Sequence, residues 1–238
     1  MTVASAYGEF PAEDGNRVLS ALRDEADAFV AALGGLSTQD WERPTRCVPW
    51  QVRDVVGHVI TVLARVPEMV AAPAPDQPDT TATSYYRADH RFSESANADR
   101  VRTAHRRATA VEAVALLHDL TRTVQAVITS CRQEPTARVV RTRHDDAMSL
   151  SDFLTTRVVE LTAHGLDVAD AVGHQPWLTV PAAEHLQELL FGPDWRTAVA
   201  ALGWDPVMLL RKTTGRAAVT AEESMELARL GLRGLTLG

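Results

Sequence analysis

Glu160, His164 and Asp167 lie four and then three residues apart in the segment RVVELTAHGLDVADAVG, residues 157–173. On an α-helix, at about 100° per residue, they share an arc of about 60°. Leu150, Leu154, Leu161, Val168 and Val172 form an apolar stripe beside them. A carboxylate and an imidazole one turn apart reach a common point, and that donor pair suits a divalent transition metal. The same spacing also describes an exposed local ion pair, so the pattern by itself leaves both readings open. His58 takes a comparable place in residues 51–66, on the shoulder of an apolar stripe next to Val55 and Val62. Two such shoulders facing one another in a bundle would offer one ion two imidazoles and one carboxylate, with a coordination position left open. Of the other histidines, at 90, 105, 118, 144, 174 and 185, only His144, beside Asp145 and Asp146, has companions. Cys47 and Cys131 have no metal-binding spacing and imply no disulfide framework. Each reads as a small buried apolar residue.

The elements that must position these groups are helical. Val18, Leu19, Leu22, Ala26, Phe29, Val30 and Leu33 repeat at three-and-four spacing over 16–33, and the following LGGL supplies a stop. Val52, Val55, Val56, Val59, Ile60 and Leu63 predict a second helix over 51–66, with Pro67 marking a kink or its end. A Pro-, Ala-, Asp- and Thr-rich stretch, 72–83, reads as a long loop of the functional or mobile kind, and some helix resumes between 84 and 106. Thr109 and Glu112 have capping-box spacing and predict the start of a long amphipathic helix that ends near Glu134 and Pro135. ARVVRTRHDDAM, 137–148, reads as a short extended connection with a turn at Asp145 and Asp146. Ser149 and Asp152 open the helix that carries Glu160 and His164, and Gly173 closes it. Residues 174–238 hold shorter helical candidates at 182–191, 194–202, 206–213 and 221–233, with Asp205-Pro206 and Thr220 as starts. The expected fold class is therefore all-α: an up-down four-helix bundle over 1–173, with a small helical C-terminal appendage over 174–238 packed on it.

Composition narrows the function. The chain has 238 residues, 45% hydrophobic and 23% charged, enough for one large core without disorder. No apolar run approaches the roughly 20 residues of a membrane span. The opening MTVASAYGEFPAEDGN lacks the basic and apolar blocks of a signal peptide, so a cytoplasmic location is expected. A net charge of −7 argues against nucleic acid as a partner. The basic cluster RVRTAHRRA, 100–108, reads as a solvated helix face.

Two longer segments carry a resemblance. WERPTRCVPWQVRDVVGHVITVLARV, 41–66, resembles the first signature of the maleylpyruvate isomerase N-terminal domain family, a branch of the DinB-like metalloprotein bundles. In that family a Trp, a Pro, a Cys and a second Trp lead into the helix with the first metal-binding His. Here these are Trp41, Pro44, Cys47, Trp50 and His58. AMSLSDFLTTRVVELTAHGLDVADAVG, 147–173, resembles the family's Glu and His helix. The later LGWDPVMLLRKTTGR, 202–216, and the closing RLGLRGLTLG are similar to the tails of actinobacterial relatives. The resemblance implies His58, Glu160 and His164 as metal ligands and Asp167 as a polar site residue beside them. This chain departs from many relatives in having Gln51 where a Thr or Ser caps the helix, although Asp54 keeps an acid in the first turn. The family's namesake carries a mixed α/β sterol-carrier-like C-terminal domain, and the tail here reads as too helical for that.

What the resemblance implies is a divalent-metal enzyme, with zinc the first expectation and mycothiol its thiol cosubstrate. It would carry out S-transfer or cis–trans isomerisation on a small molecule. A cation with an open position lowers the pKa of an incoming thiol or water, so a metal-dependent hydrolase on the same bundle is the alternative. A noncatalytic metal-binding regulatory module is a third class. If the substrate is anionic, Arg87, in SYYRADH, and Arg157, one turn before Glu160, are the residues to bind it, with Arg211 and Arg216 in outlying positions. Partners are then the small substrate and a low-molecular-weight thiol, with no membrane and a monomeric or homodimeric chain.

Overall fold

Apolar residues at three-and-four spacing build four long helices whose buried stripes meet in one core. The computed structural model describes residues 12–135, 137–235 and 237. The expectations about a signal peptide and about the last residues of the closing motif fall outside that range. In chain order the elements are α1 (Ala12–Gly34), α2 (Thr38–Trp41), α3 (Val52–Leu63), α4 (Arg65–Ala71) and α5 (Ala82–Tyr85). A 3₁₀ turn (His90–Phe92) leads into α6 (Glu94–Thr109) and α7 (Ala113–Cys131). Two short strands, β1 (Val139–Arg141) and β2 (Ala147–Ser149), precede α8 (Leu150–Val172). The tail is α9 (Val180–Phe191), α10 (Trp195–Leu202), α11 (Pro206–Thr213) and α12 (Ala221–Arg229). No helix among the described residues is long and apolar enough to cross a membrane.

Helices α1, α3, α7 and α8 form the bundle, in which α1 and α3 each pack against both α7 and α8. Helix α6 lies along α3, and α9 lies against α1 and α8. The protein is thus all-α with a helical C-terminal appendage, as the periodicity predicts. Helix α8 is buried over almost its whole circumference, from Phe153 to Val159 and from Leu161 to Ala169. Its polar residues therefore face protein or an internal cavity. Ser149 caps it by accepting the Asp152 N–H at 3.0 Å, and Gly173, at φ 72°, ends it in the left-handed conformation.

Several local expectations are corrected. Thr109 does not cap the long seventh helix, because α6 runs on to it and its hydroxyl donates to the His105 carbonyl at 2.8 Å. Glu112 is the N-cap residue instead, without a side-chain cap. Pro67 marks the break expected of it: it cannot donate to the Leu63 carbonyl, α3 ends there, and the chain turns at Ala64 into α4 with Pro67 in the first turn. The loop after α4 is pinned to the β1–β2 hairpin, since the Ala147 N–H donates to Asp79 Oδ1 at 2.9 Å and the Asp79 N–H donates to the Ala147 carbonyl at 2.9 Å.

Two buried contacts test this packing. A Cβ on Gly57 would stand 2.8 Å from the Ala104 carbonyl oxygen and 3.3 Å from the Ala108 nitrogen, so α3 and α6 touch backbone to backbone there. Gly57→Ala gains roughly 0.8–1 kcal/mol of helix propensity but overpacks against backbone that cannot rotate away, at a cost of about 1–3 kcal/mol. A net loss of stability is expected in chemical denaturation. The second contact is Glu25, whose carboxylate accepts the Thr179 N–H at 2.9 Å and its hydroxyl at 2.7 Å. Burial pushes this carboxyl up despite both hydrogen bonds. A raised carboxyl favours the fold when protonated, and that contribution is lost as pH rises through the folded value. Glu25→Gln should therefore gain on the wild type in melting temperature as pH rises from about 4 to about 7, with no difference at the acid end.

Candidate metal centre

Three elements supply the side chains. The loop between α2 and α3 is drawn tight by the Thr45 N–H and hydroxyl, which donate to the Trp50 carbonyl at 2.9 and 2.8 Å. This sets Trp50 against the start of α3, where Asp54 accepts the Gln51 N–H at 3.0 Å in place of a capping hydroxyl. His58 follows two turns later on α3, and Glu160 and His164 project from α8. The three meet. His58 Nε2 and His164 Nε2 lie 3.1 and 3.3 Å from the same Glu160 oxygen, Oε2. Their ligand atoms all fall within 4.8 Å of one another. The imidazoles stand nearly perpendicular, at 81° with centroids 5.0 Å apart. The Trp50 indole covers His58 at 4.9 Å.

A further shell fixes His164. Its Nδ1 faces Asp167 Oδ2 at 3.0 Å. Asp167 is 1% exposed and is gripped by Arg216, whose Nε and Nη2 donate to its two oxygens at 2.8 and 2.7 Å. Cys47 Sγ donates to the same carboxylate at 3.3 Å. Burial disfavours charge on His164, but Asp167, Cys47 and Glu160 outweigh it and hold this imidazole well above the usual range. Burial prevails at His58, whose pKa is lowered. Glu160 is held well below the usual carboxylate range, because the two imidazoles outweigh its desolvation.

This donor set fits a divalent cation. Two imidazole nitrogens and one carboxylate oxygen already converge, and the hydrogen bond to Asp167 selects the tautomer that turns Nε2 inward. Three protein ligands leave a position free, which is the pattern of catalytic rather than structural sites. Imidazole plus carboxylate suits zinc, iron, nickel or manganese alike.

Residues 22–169 match the sequence model of the family described as mycothiol maleylpyruvate isomerase N-terminal domain. The chain belongs to this family. The family segment spans α3 and most of α8 and so includes all three converging ligands. Two solved structures are similar in fold, both crystal structures of a mycothiol-dependent maleylpyruvate isomerase, one of them a histidine-to-alanine mutant. They show TM-scores of 0.48 and 0.49 and identities of 14% and 13%, each comparison covering 76% of this chain and 70% of the other. No curated protein matches.

Against this site, the sequence-derived residues divide. His58, Glu160 and His164 are brought together, with Asp167 behind them. Arg157 is 2% exposed and lines the cavity at the centre, donating to Thr156 Oγ1 at 3.1 Å and to the Val62 carbonyl at 3.2 Å. Arg87 is not brought there: it is exposed, bonded to the Ser84 carbonyl at 3.1 Å, and does not line the cavity. Arg211 pairs with Asp170 instead. Other residues take places that the sequence reading did not give them. Cys47 is a half-buried site residue, not an inert core one. Arg100, taken as part of a solvated face, lines the cavity, as does His144. Arg216, an outlying candidate, anchors Asp167, and no local spacing signals this because the partners lie 49 residues apart.

Asp167→Asn keeps the shape but removes the charge that orients His164. A loss of about 10–100-fold in metal affinity is expected, read by chelator competition, with unchanged helical content.

Proposed function

We propose that this chain is a divalent-metal-dependent enzyme that uses a small thiol, mycothiol, for S-transfer to, or cis–trans isomerisation of, a small anionic substrate. The observation that carries this reading is the convergence of His58 Nε2, Glu160 Oε2 and His164 Nε2 from two helices on one point in a cavity. Family membership supports the thiol. A divalent cation in such a site lowers the pKa of an incoming thiol and makes thiolate available near neutral pH.

The chain's own residues have separable tasks. Glu160 keeps both imidazoles turned toward the shared point, and Asp167, held by Arg216, keeps His164 Nδ1 occupied. Trp50 shields His58 from water. Arg157 places a fixed positive charge on the cavity wall. Neither cysteine is free to act as the nucleophile. Burial pushes the Cys131 thiol up to about 11, and the Cys47 thiol is committed to Asp167. A thiol from outside fits that vacancy. In this reading residues 1–173 form the metal-binding bundle and 174–238 a subdomain that completes it through Arg216.

Elemental analysis of the purified protein should find stoichiometric metal, lost in His58→Ala. The metal-bearing wild type should turn over maleylpyruvate only when mycothiol is added. A His58→Ala protein that keeps its metal would remove the proposed first ligand, and thiol-independent hydrolysis would move the assignment to a hydrolase.

A further inference from the structure

The cavity, about 280 Å³ in volume, is walled by six arginines: Arg65, Arg91, Arg100, Arg143, Arg157 and Arg216. Arg91 and Arg216 are neutralised. Arg91 pairs with Asp89 at 2.5 Å and Asp146 at 2.9 Å, and Arg216 pairs with Asp167. Arg157 meets only neutral acceptors. Arg65 has no hydrogen-bond or ion-pair partner among the described residues, and burial, with Arg143 and Arg157 nearby, pushes its guanidinium down to about 10. Arg143, on the turn between β1 and β2, donates from Nε to His144 Nε2 at 3.0 Å. That bond requires Nε2 to be unprotonated, because guanidinium only donates. An oxyanion is a better acceptor for a guanidinium than an imidazole is, since it carries a full negative charge and can take two parallel N–H bonds.

We propose that Arg65 and Arg143 form a receptor for one oxyanion group of the substrate, and that its entry frees His144 Nε2 from Arg143 to take up a proton and donate to the same anion. The proposal deepens the reading above by naming the residues that meet the substrate's negative charge. The anion replaces Nε2 as the acceptor for Arg143 Nε–H, and one proton comes from solvent. The groups facing His144 agree. Arg143, Arg91, Arg65 and His90 surround it, together with the Tyr85 ring at 6.4 Å. The nearby acids are already engaged, Asp146 with Arg91, Asp89 with Arg91, and Asp145 with Arg141. Burial first, and then these cations, push His144 down to about 4 while the pocket lacks an anion. Neutralising the arginines removes the second cause, so anion binding raises this pKa and affinity must increase as pH falls.

Calorimetry with sulfate and fumarate, neither of which changes charge near neutrality, tests this on the full-length protein as purified and on His58→Ala. Both proteins should bind the anion, which places it on the arginines and not on a metal. Tighter fumarate identifies a carboxylate source, and tighter sulfate a phosphate-like one. Arg65→Gln and Arg143→Gln should each weaken binding at least about tenfold. Wild type should take up a proton on binding and bind more tightly from about pH 8 to about pH 5.5, by up to about tenfold per unit. His144→Asn should bind near pH 8 but lose both the uptake and the slope. Unchanged affinity in the arginine variants, loss of binding in His58→Ala, or a slope that survives His144→Asn overturns the proposal. An absence of metal in the purified protein would sink the thiol reading and leave this one standing.

Discussion

One carboxylate oxygen shared by two imidazoles is the constraint on which the rest of the molecule depends. Removing a carboxylate from water costs several kcal/mol unless partners replace the lost hydration. Glu160 meets that requirement only because α3 and α8 hold His58 and His164 at 3.1 and 3.3 Å from Oε2. A slip of one residue in either helix would turn its side chains by about 100° and separate His58 from the Glu160–His164 pair. The register of the bundle is therefore a property of the site as much as of the core. The backbone contact of Gly57 with α6, one residue from His58, belongs to the same constraint.

Charge alternates outward from this point. Glu160, His164, Asp167 and Arg216 follow one another as acid, base, acid, base, and each is satisfied by the next. Breaking a buried chain of this kind by removing one member leaves an uncompensated charge, which costs about 3–5 kcal/mol. The last member comes from the appendage, so the tail is electrostatically part of the centre that the bundle frames. The opposite imbalance marks the other cavity wall, where Arg65 has no partner among the described residues and Arg143 donates to an imidazole. Within one cavity, a satisfied network and an unsatisfied one stand side by side. The first holds His164 in place, and the second is where the proposed oxyanion would sit.

Much of the scaffold was legible locally. The stripes over 16–33 and 150–172, the Ser149 and Thr220 caps, the Asp205-Pro206 start and the Gly173 stop all appear where short-range rules place them. Those rules fail where two elements compete for one residue. Thr109 has capping-box spacing, but α6 reaches it first. Arg100 belongs to a basic run that looks solvated, yet packing turns this one member toward the cavity. Arg87 looks available on a loop and is exposed, away from the cavity wall.

The chain's order of residues determined by itself the helical periods, their ends and the placing of Glu160, His164 and Asp167 on one helical side, because these depend on neighbours three or four positions apart. It also carried, through resemblance, the pairing of that side with His58. Tertiary structure decided which shoulders face each other, across 102 residues for His58 and Glu160. It also decided that Cys47 and Arg216 serve Asp167, and that six arginines share the cavity. The physical reason is that helix packing fixes separations which no local repeat encodes. The charge of a site is a sum over side chains that meet only after the chain has folded.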